Sequence, residues 1–352
     1  MKFACFADLH AHNFKEFDTK SNKTGSSRLD RIIDVLEFIR DDCERQGITH
    51  ILFAGDLFHV RARVNTVVYN SVYDCIKTFK DHGLEILMIP GNHDDHDNSD
   101  LPQHSLHPFK DIEGVTVVDT LKTIEFGGVP IVCVRYSKNA QMIKDFINSL
   151  DPSQFNIKPI LLGHAGISGA FVGNGNYAMA DAFTAEDFRP ELFHYLIFGH
   201  FHKKQKIAPY NHFMYTGAPI QHNIGDSGED KGYLIIDTEK ECDIQFVPIP
   251  SPEFIIADLF DVANKDMKDV ADQGDYVILK VKENEVDVAL SYLPENLHYR
   301  LILEREYQEK SRMDVQVGMT EEQVVQKYAE ENSPESLAIG LRILREVKEN
   351  GN

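Results

Sequence analysis

The chain has 352 residues, of which 42% are hydrophobic, and this is enough for one large domain with smaller additions. No apolar run approaches the roughly eighteen residues of a membrane span, and the first residues lack the features of a signal peptide, so we expect no membrane association. The formal net charge of −20 argues against general DNA binding, because contacts with phosphates need Lys and Arg.

Two considerations weaken the argument from charge. Carboxylates that bind divalent cations still count as negative in the formal sum, and a partner subunit could supply a basic surface. The five cysteines lie far apart and form no Cys-x-x-Cys pair, which favours reduced, buried thiols. We therefore expect a cytoplasmic protein of a bacterial, archaeal or virus-infected host cell.

The N-terminal part alternates between strand-like and helical patterns. Apolar runs at 2–7, 48–54 and 84–89 predict strands, and apolar residues at helical spacing over 28–45 and 65–80 predict helices. This alternation is typical of a layered α/β domain.

Short apolar runs follow at close spacing. They predict strands at 115–118, 123–126, 130–134, 160–162, 195–198 and 233–236. Strands so close together favour a second sheet. The predicted fold is therefore an α/β sandwich of two sheets flanked by helices, although periodicity gives no strand order.

The C-terminal part begins after a proline-rich stretch at 247–252, which predicts a domain boundary. A short strand–helix–strand pattern follows, and then a polar stretch at 306–316 that is typical of a linker. Thr320 with Gln323 fits a capping box at the start of one tail helix, and Ser333-Pro334 fits the start of another. The predicted parts of the chain are 1–248, 249–308 and 309–352.

Five groups of polar residues follow the ends of predicted strands. Their candidate metal ligands are Asp8, His10, Asp56, Asn92, His164, His200 and His202. Open α/β sheets place their ligand sites at the carboxyl ends of strands, and glycine, which allows close backbone approach, precedes the key residue in most of these groups. Oxygen and imidazole donors without thiolate suit Mn, Fe, Mg or Zn.

Each group alone also has an ordinary explanation. The aspartate of Gly55-Asp56 fits a solvated turn, and His59 fits either a catalytic residue or a polar loop residue. Arg61 and Arg63 could contact DNA phosphates or only solvent. A solvated loop is expected for Asp95, His96, Asp97 and Asp100, and loop or helix-start positions are expected for His104 and His107.

The ordered motifs resemble those of the calcineurin-like metallophosphoesterases. They are Asp8-Leu9-His10, Gly55-Asp56, Gly91-Asn92-His93-Asp94, Gly163-His164 and Gly199-His200-Phe201-His202. The stretches that resemble the Mre11/SbcD nucleases within this group are Gly55-Asp56-Leu57-Phe58-His59, Tyr215-Thr216-Gly217-Ala218-Pro219 and Asp230-Lys231-Gly232. Protein Ser/Thr phosphatases have Asp-Arg where this chain has His59-Val60, and Glu where it has Asp94.

The resemblance implies a role for each candidate residue. The ligands implied for one metal ion are Asp8, His10 and His202. The ligands implied for the other ion are Asn92, His164 and His200. Asp56 would bridge the ions, which together can activate a water and hold the attacking and leaving oxygens. His93 would protonate the leaving oxygen or stabilise the transition state, and His59 would be a second catalytic or phosphate-contacting histidine.

The resemblance also implies the reaction and the partners. It implies 3′→5′ exonuclease and endonuclease activity on DNA with two divalent ions, Mn²⁺ first and Mg²⁺ second. The chain would serve DNA repair, recombination or replication as a homodimer, and its C-terminal helices would bind a Rad50/SbcC-like ATPase. A small α/β capping domain and a helical tail would complete the fold.

Three alternatives stay open. One is a phosphatase or small-molecule phosphodiesterase with the same site, and another is a non-catalytic assembly subunit that kept the fold. The third is a structural metal protein, although structural zinc sites are closed and often rich in thiolate.

Overall fold

The computed structural model describes residues 1–97, 103–171, 183–304 and 319–350. The strands in chain order are β1 (Lys2–Phe6), β2 (His50–Phe53), β3 (Glu85–Met88), β4 (Val115–Val117), β5 (Lys122–Phe126), β6 (Val129–Val134), β7 (Ile160–His164), β8 (Tyr195–Gly199), β9 (Gln205–Lys206), β10 (Phe213–Tyr215), β11 (Gly232–Asp237), β12 (Ile244–Pro248), β13 (Phe254–Ala257), β14 (Tyr276–Val281) and β15 (His298–Leu303). The α-helices are α1 (Ser27–Gln46), α2 (Thr66–Lys77), α3 (Ala140–Ser149), α4 (Leu259–Asn264), α5 (Met267–Gln273), α6 (Val286–Ser291), α7 (Glu321–Asn332) and α8 (Leu337–Asn350).

Two six-stranded sheets form the body of the fold. The first has the order β12-β11-β1-β2-β3-β4, and the second has the order β5-β6-β7-β8-β10-β9. Successive residues of a strand point to opposite faces, so Phe3 and Cys5 of β1 share a core with the second sheet. Ala4 and Phe6 of the same strand pack with helices α1 and α2 on the outer face. The predicted α/β sandwich with flanking helices is confirmed.

The sequence pattern left open which sheet each of the short strands joins. Two of these strands belong to the first sheet: β4 pairs in parallel with β3, and β11 pairs antiparallel with β1. Apolar spacing indicates which residues are buried but not which strands are neighbours.

The direction of the central strands determines where the loops meet. Strands β1, β2 and β3 run parallel to one another, and so do β6, β7 and β8. The chain therefore leaves the strands of each set at a common edge.

Helix α1 begins where Ser26 caps the Leu29 N–H and ends at Gly47, whose φ of 68° suits glycine.

A small parallel sheet, β13-β14-β15, lies beyond the sandwich. Helices α4, α5 and α6 pack on one of its faces around the buried Val277. On the sandwich side, the Arg28 guanidinium lies over the rings of Phe254 and Tyr276, 5.1 and 4.8 Å from their centroids. Residues 1–303 form one compact unit and 304–352 form a second. The three-part division of the chain stays a prediction.

The second unit contains the helix pair α7 and α8. Thr320 Oγ1 accepts a hydrogen bond from the Gln323 N–H while the Gln323 side chain accepts one from the Thr320 N–H, so the predicted capping box is confirmed. Ser333 instead precedes a 3-10 turn, Pro334–Ser336, and its hydroxyl donates to Glu335 rather than capping. The predicted linker at 306–316 lies outside the described residues. Within the described ranges, no helix is long and apolar enough to cross a membrane.

Candidate active site

The loops that follow β1 and β2 are joined by backbone hydrogen bonds at one edge of the first sheet. The Asp8 N–H donates to the Gly55 carbonyl at 2.9 Å, and the His10 N–H donates to the Asp56 carbonyl at 3.0 Å. Strands β7 and β8 of the second sheet bring further histidines to the same edge. Parallel strands therefore gather the candidate ligands from both sheets at their carboxyl ends.

Four candidate ligands have backbone conformations that are uncommon for residues other than glycine. The φ angle is 54° at Asp8, 45° at His10, 60° at Asp56 and 114° at His200. Such conformations cost roughly 1–3 kcal/mol each and persist only where the surrounding structure enforces them. Their concentration at this edge supports a functional role for it.

The buried Asp56 carboxylate lies between two groups of donors. Its Oδ2 is 3.6 Å from His10 Nε2 and 3.5 Å from His164 Nε2. The ligand atoms of Asp8, His10 and Asp56 all lie within 4.8 Å of one another. One carboxylate oxygen thus faces members of both predicted ligand sets.

The Asn92 side chain joins the other two histidines. Its Oδ1 is 3.0 Å from both His164 Nε2 and His200 Nδ1. His164 Nδ1 lies 2.7 Å from the Ala54 carbonyl, so Nδ1 carries a proton and Nε2 faces the site. The His200 N–H lies 3.0 Å from each oxygen of Asp8 and donates to this carboxylate, which links the two sheets across the site.

His202 lies on the other side of His10, with ring centroids 4.8 Å apart. Its Nδ1 is 3.5 Å from Asp226 Oδ1. The buried Lys231 ammonium donates to the His202 carbonyl at 3.0 Å and to Asp226 Oδ1 at 3.3 Å. A buried ion pair therefore fixes both the backbone and the imidazole of His202.

His59 and His93 form a stacked pair beside the candidate ligands. Their ring centroids are 5.6 Å apart, and the His93 ring meets His10 edge-on at 4.7 Å. The His93 N–H donates to Asp56 Oδ1 at 2.7 Å, and His93 Nδ1 lies 2.6 Å from the His59 carbonyl. Phe14 packs on His59 at 5.2 Å. Burial, followed by the neighbouring His93, lowers the pKa of His59 to about 4.

The carboxylates at this edge perturb one another and the histidines. Burial raises the pKa of Asp8 to about 6, although His164 opposes the shift. Burial alone would also raise the pKa of Asp56, but His164 and His10 hold it well below its usual range. The Asp56 carboxylate in turn outweighs burial and raises the pKa of His164 to about 9. The site therefore holds buried negative charge that attracts positive charge.

The family model for calcineurin-like phosphoesterases matches residues 1–204, which is more than half of the chain and includes all the candidate ligands. The chain belongs to this family. The resemblance predicted from the motifs is confirmed at this level.

Two of the similar proteins are named as nucleases. Exonuclease subunit 1 of Enterobacteria phage T4 is 26% identical over 227 residues, which are 63% of this chain and 61% of that protein. A subunit of the nuclease SbcCD from Staphylococcus epidermidis is 24% identical over 227 residues, which are 56% of this chain and 59% of that protein. The chain thus spans about three fifths of the length of these relatives.

A third relative carries no substrate in its name. Protein 244L of Invertebrate iridescent virus 6, described only provisionally as a phosphoesterase, is 25% identical over 209 residues, which are 58% of this chain and 70% of that protein. The three relatives together support phosphoester hydrolysis.

Membership in this phosphoesterase family implies divalent metal ions, and the residues at the site fit them. Carboxylate and amide oxygens stand beside imidazole nitrogens without thiolate, a donor set that suits Mn, Mg, Fe or Zn. His10 Nε2 faces Asp56, whereas His10 Nδ1 is buried without a hydrogen-bond partner among the described residues. A bound cation would compensate the buried carboxylates in the way that the proton on His164 does.

Asp94 supports two of the site loops, although sequence analysis gave it no role of its own. Its Oδ2 accepts from the N–H groups of Asp56 at 2.8 Å and Gly91 at 3.0 Å. Its Oδ1 accepts from Leu57 at 3.0 Å and Phe58 at 3.3 Å. Burial, followed by the Asp56 charge, raises the pKa of Asp94 to about 7. Its position within the Gly-Asn-His-Asp motif was the available signal.

His222 and Asp226 were missed entirely. His222 Nε2 lies 3.1 Å from the Asp8 carbonyl, and its ring centroid is 5.4 Å from that of His10. The His222 N–H donates to Asp226 Oδ2 at 2.9 Å. Both residues reach the site because they precede β11, which pairs in the first sheet. No local sequence pattern predicts this pairing.

Glycines at this edge permit the close approach of ligands. A Cβ atom at Gly91 would collide with the Asp56 carboxylate and the His164 ring. A Cβ atom at Gly199 would collide with the Ala54 carbonyl. These two positions therefore require glycine for space.

The expectation of a solvated loop after Asp94 was wrong for Asp95. Asp95 is buried, and Arg135 donates to both of its carboxylate oxygens at 2.5 Å. Arg135 follows β6 in the other sheet, so the sequence could not reveal the pair. His104, for which a loop or helix-start position was expected, is also buried.

Other predicted loop residues are more exposed. His96, Asp97 and His107 are exposed, whereas Asp100 lies outside the described residues. Arg61 is half-buried and Arg63 is exposed, so both stay candidates for contact with DNA phosphates.

Proposed function

We propose that this chain is a two-metal phosphodiesterase that hydrolyses DNA as the nuclease subunit of an Mre11–Rad50/SbcCD-like complex. The observation that carries the proposal is the stacked pair of His59 and His93 against Asp56 and His10. It supports a phosphodiesterase because His59-Val60 stands where protein Ser/Thr phosphatases have Asp-Arg, so the His59 imidazole replaces the aspartate and no arginine follows it. The names of the phage T4 and staphylococcal relatives, which describe an exonuclease and a nuclease, favour DNA as the substrate.

The proposed ligand sets are those that the family resemblance implies, and the distances at the site are compatible with them. We assign Asp8, His10 and His202 to one ion. We assign Asn92, His164 and His200 to the other. Asp56 would serve both, since its Oδ2 lies at similar distances from His10 and His164. Mn²⁺ is the first candidate ion and Mg²⁺ the second.

His93 would exchange a proton with the leaving oxygen. Divalent cations at such a site supply Lewis acidity toward the phosphate and make the attacking water more acidic. Because His93 Nδ1 donates to the His59 carbonyl, Nε2 is the nitrogen that can give a proton to the departing 3′-oxygen. His59, whose pKa of about 4 keeps it neutral, would donate a hydrogen bond to a phosphate oxygen. The products would be a 5′-phosphate and a 3′-hydroxyl.

A second candidate function is hydrolysis of a small or protein-bound phosphoester. The net charge of −20 favours it, because an acidic surface repels DNA. A partner subunit with a basic surface would remove this objection.

The tail helices offer a surface for the proposed ATPase partner. Ile339, Ile343 and Val347 recur every four residues along α8 and are 53%, 51% and 62% exposed. Tyr328 of α7 is 42% exposed, whereas Leu341 and Leu344 are half-buried within the pair. An apolar stripe of this kind is typical of a helix that packs against another protein.

The function is tested by incubating the full chain and Mn²⁺ with labelled linear duplex DNA, and in parallel with a phosphoserine peptide. We expect DNA cleavage that leaves 5′-phosphates and much slower release of phosphate from the peptide. Efficient peptide hydrolysis with inert DNA would establish the second candidate instead.

The chemical role of His93 is tested with His93→Ala, and His96→Ala serves as the matched control on the same loop. We expect His93→Ala to keep its metal content and lose roughly 10²–10⁴-fold in turnover, as for a general acid. Loss of metal from His93→Ala would make His93 a ligand or a support for one.

The tail is tested by deleting residues 318–352. We expect nuclease activity on short DNA to remain and association with the ATPase subunit to disappear. The control is Ile339→Ser with Ile343→Ser in the full chain, which changes the stripe alone. A truncated chain that still co-purifies with the ATPase would contradict the assignment.

A further inference from the structure

A second cluster of metal-binding side chains lies behind the loop that follows Asn92. His104, His107 and Asp119 offer ligand atoms that all lie within 4.8 Å of one another. His104 Nε2 is 3.2 Å from Asp119 Oδ2, and the rings of His104 and His107 are 6.2 Å apart. His107 opens a 3-10 turn, and Asp119 follows the edge strand β4, so two separate segments meet here.

The His104 ring is buried, and its Nε2 faces Asp119. The His104 side chain is 0% exposed, and its Nδ1 has no hydrogen-bond partner in the parts of the chain that the structure describes. An ion shared with Asp119 would bind at Nε2, the nitrogen that faces this carboxylate, and the buried ring would keep Nε2 in place.

An open cavity gives solvent ions access to the cluster. Its volume is about 560 Å³, and both His104 and His107 line it together with His96 and Gln103. His107 is exposed, so a ligand can enter without unfolding of the core. The cavity also leaves room for water to complete the coordination of an ion.

We propose that His104, His107 and Asp119 bind one divalent transition-metal ion, separate from the catalytic centre. Two imidazoles and one carboxylate suit Zn²⁺ best, since Mg²⁺ and Ca²⁺ prefer oxygen donors alone. This inference does not depend on the proposed nuclease activity.

Lys110 supplies a positive charge next to this cluster, where an ion would otherwise compensate Asp119. Its ammonium lies 2.6 Å from Asp119 Oδ2, the oxygen that faces His104. The Lys110 side chain is 35% exposed, so it can turn toward solvent when an ion arrives. Lys110 and the ion therefore compete for Asp119.

The site has a structural path to the catalytic loop. Ser105, next to His104, donates from its N–H to the Asp94 carbonyl at 2.9 Å and from its hydroxyl to Asp94 Oδ1 at 3.3 Å. Asp94 in turn holds the backbone of Asp56. An ion bound to His104 would therefore restrict the motion of Ser105 and Asp94, and through them that of the Asp56 backbone.

The test measures Zn²⁺ bound per full-length chain after treatment with a chelator, reloading with Zn²⁺ and removal of the free ion. We expect His107→Ala to bind one Zn²⁺ fewer than the wild type, while His96→Ala, in the same cavity, binds as many as the wild type. An unchanged count in His107→Ala, or an equal loss in His96→Ala, would overturn the proposal.

A third variant separates this site from the catalytic one. Asp56→Asn should lose ions at the catalytic edge and still lose one more when His107→Ala is added. If His107→Ala removes nothing in this background, the cluster has no ion of its own. A failure of the catalytic assignment would appear in Asp56→Asn alone, as an unchanged count.

Lys110→Met tests the competition for Asp119. Removal of one positive charge at close range should tighten Zn²⁺ binding by about tenfold. Equal or weaker binding in Lys110→Met would show that Asp119 is not a ligand and would overturn the three-residue site.

Discussion

Asp94 and Asp226 support the candidate active site from opposite sides, and their charges are compensated in different ways. Asp94 accepts hydrogen bonds from four backbone N–H groups and contacts no cationic side chain among those described. Asp226 pairs with the ammonium of Lys231 and with His202. Burial raises the pKa of Asp94 to about 7, whereas His202 and Lys231 outweigh burial and hold the pKa of Asp226 well below its usual range.

The contrast indicates that Asp94 acts through backbone N–H groups, whereas Asp226 acts through charged side chains. Backbone dipoles fix the loop conformation around Asp56, because each N–H that Asp94 holds belongs to a site loop. The ion pair fixes one imidazole and depends on charge. Loss of Asp94 should therefore disturb the fold of the edge, and loss of Asp226 should disturb mainly the ligand that it orients.

The largest effect is expected for a substitution of Asp56, which lies in the active site that Asp94 and Asp226 support. Asp56→Asn removes the negative charge that faces His10 and His164. If the transition state loses several kcal/mol of stabilisation as a result, activity decreases by about 10³-fold or more. The thermal unfolding temperature should change little. The measurements are phosphodiester turnover, metal content and thermal melting, and full activity would contradict the central position of Asp56.

The next effect is expected for Asp94→Asn. The new NH₂ group cannot accept from backbone N–H groups, so about two buried donors lose their partner, at roughly 1–3 kcal/mol each. We expect a clear fall in melting temperature together with a fall in activity. Asp111→Asn, an exposed carboxylate on the 3-10 turn that follows, is the matched control and should change neither.

A smaller effect is expected for Asp226→Asn. Residues that orient a metal ligand typically contribute about 10–100-fold to metal affinity, and Lys231 keeps its second partner, Glu229, at 2.8 Å. Activity should therefore recover at high Mn²⁺, and the melting temperature should fall less than in Asp94→Asn. A loss of stability greater than that of Asp94→Asn would reverse the comparison.

The smallest effect is expected in the acid stability of the metal-free protein. The pKa of Asp226 is lower in the folded than in the unfolded chain, so the unfolded chain binds more protons in acid. The stabilisation is present above about pH 4 and is lost as the pH falls below it. Unfolding by denaturant in a chelating buffer should show a weaker loss of stability below pH 4 for Asp226→Asn than for the wild type. Identical acid profiles would show that the ion pair does not contribute.

Much of the site could be predicted because its motifs are local. Asp8 and His10 lie two residues apart in the sequence, and His200 and His202 repeat that spacing. The strand ends that precede them are apolar runs, which periodicity identifies well. The structure brings these residues to one edge, and their assignment to particular ions stays a proposal.

The residues that hold the candidate ligands and their loops in place could not be predicted, because they are distant in sequence from the residues that they contact. Arg135 reaches Asp95 from the second sheet, and His222 reaches the Asp8 carbonyl after the chain has crossed both sheets. Apolar periodicity carries no information on strand neighbours, so the places of β4 and β11 in the first sheet could not be predicted either.

The sequence by itself determined many of the helices and strands, although not α3 and β10, together with the family and the set of candidate ligands, because each depends on residues close together in the chain. Only the tertiary structure decided which carboxylates hold those ligands, and that His104, His107 and Asp119 meet. The physical reason is that buried polar groups must find partners within the fold, and strand pairing decides which partners lie within hydrogen-bonding distance.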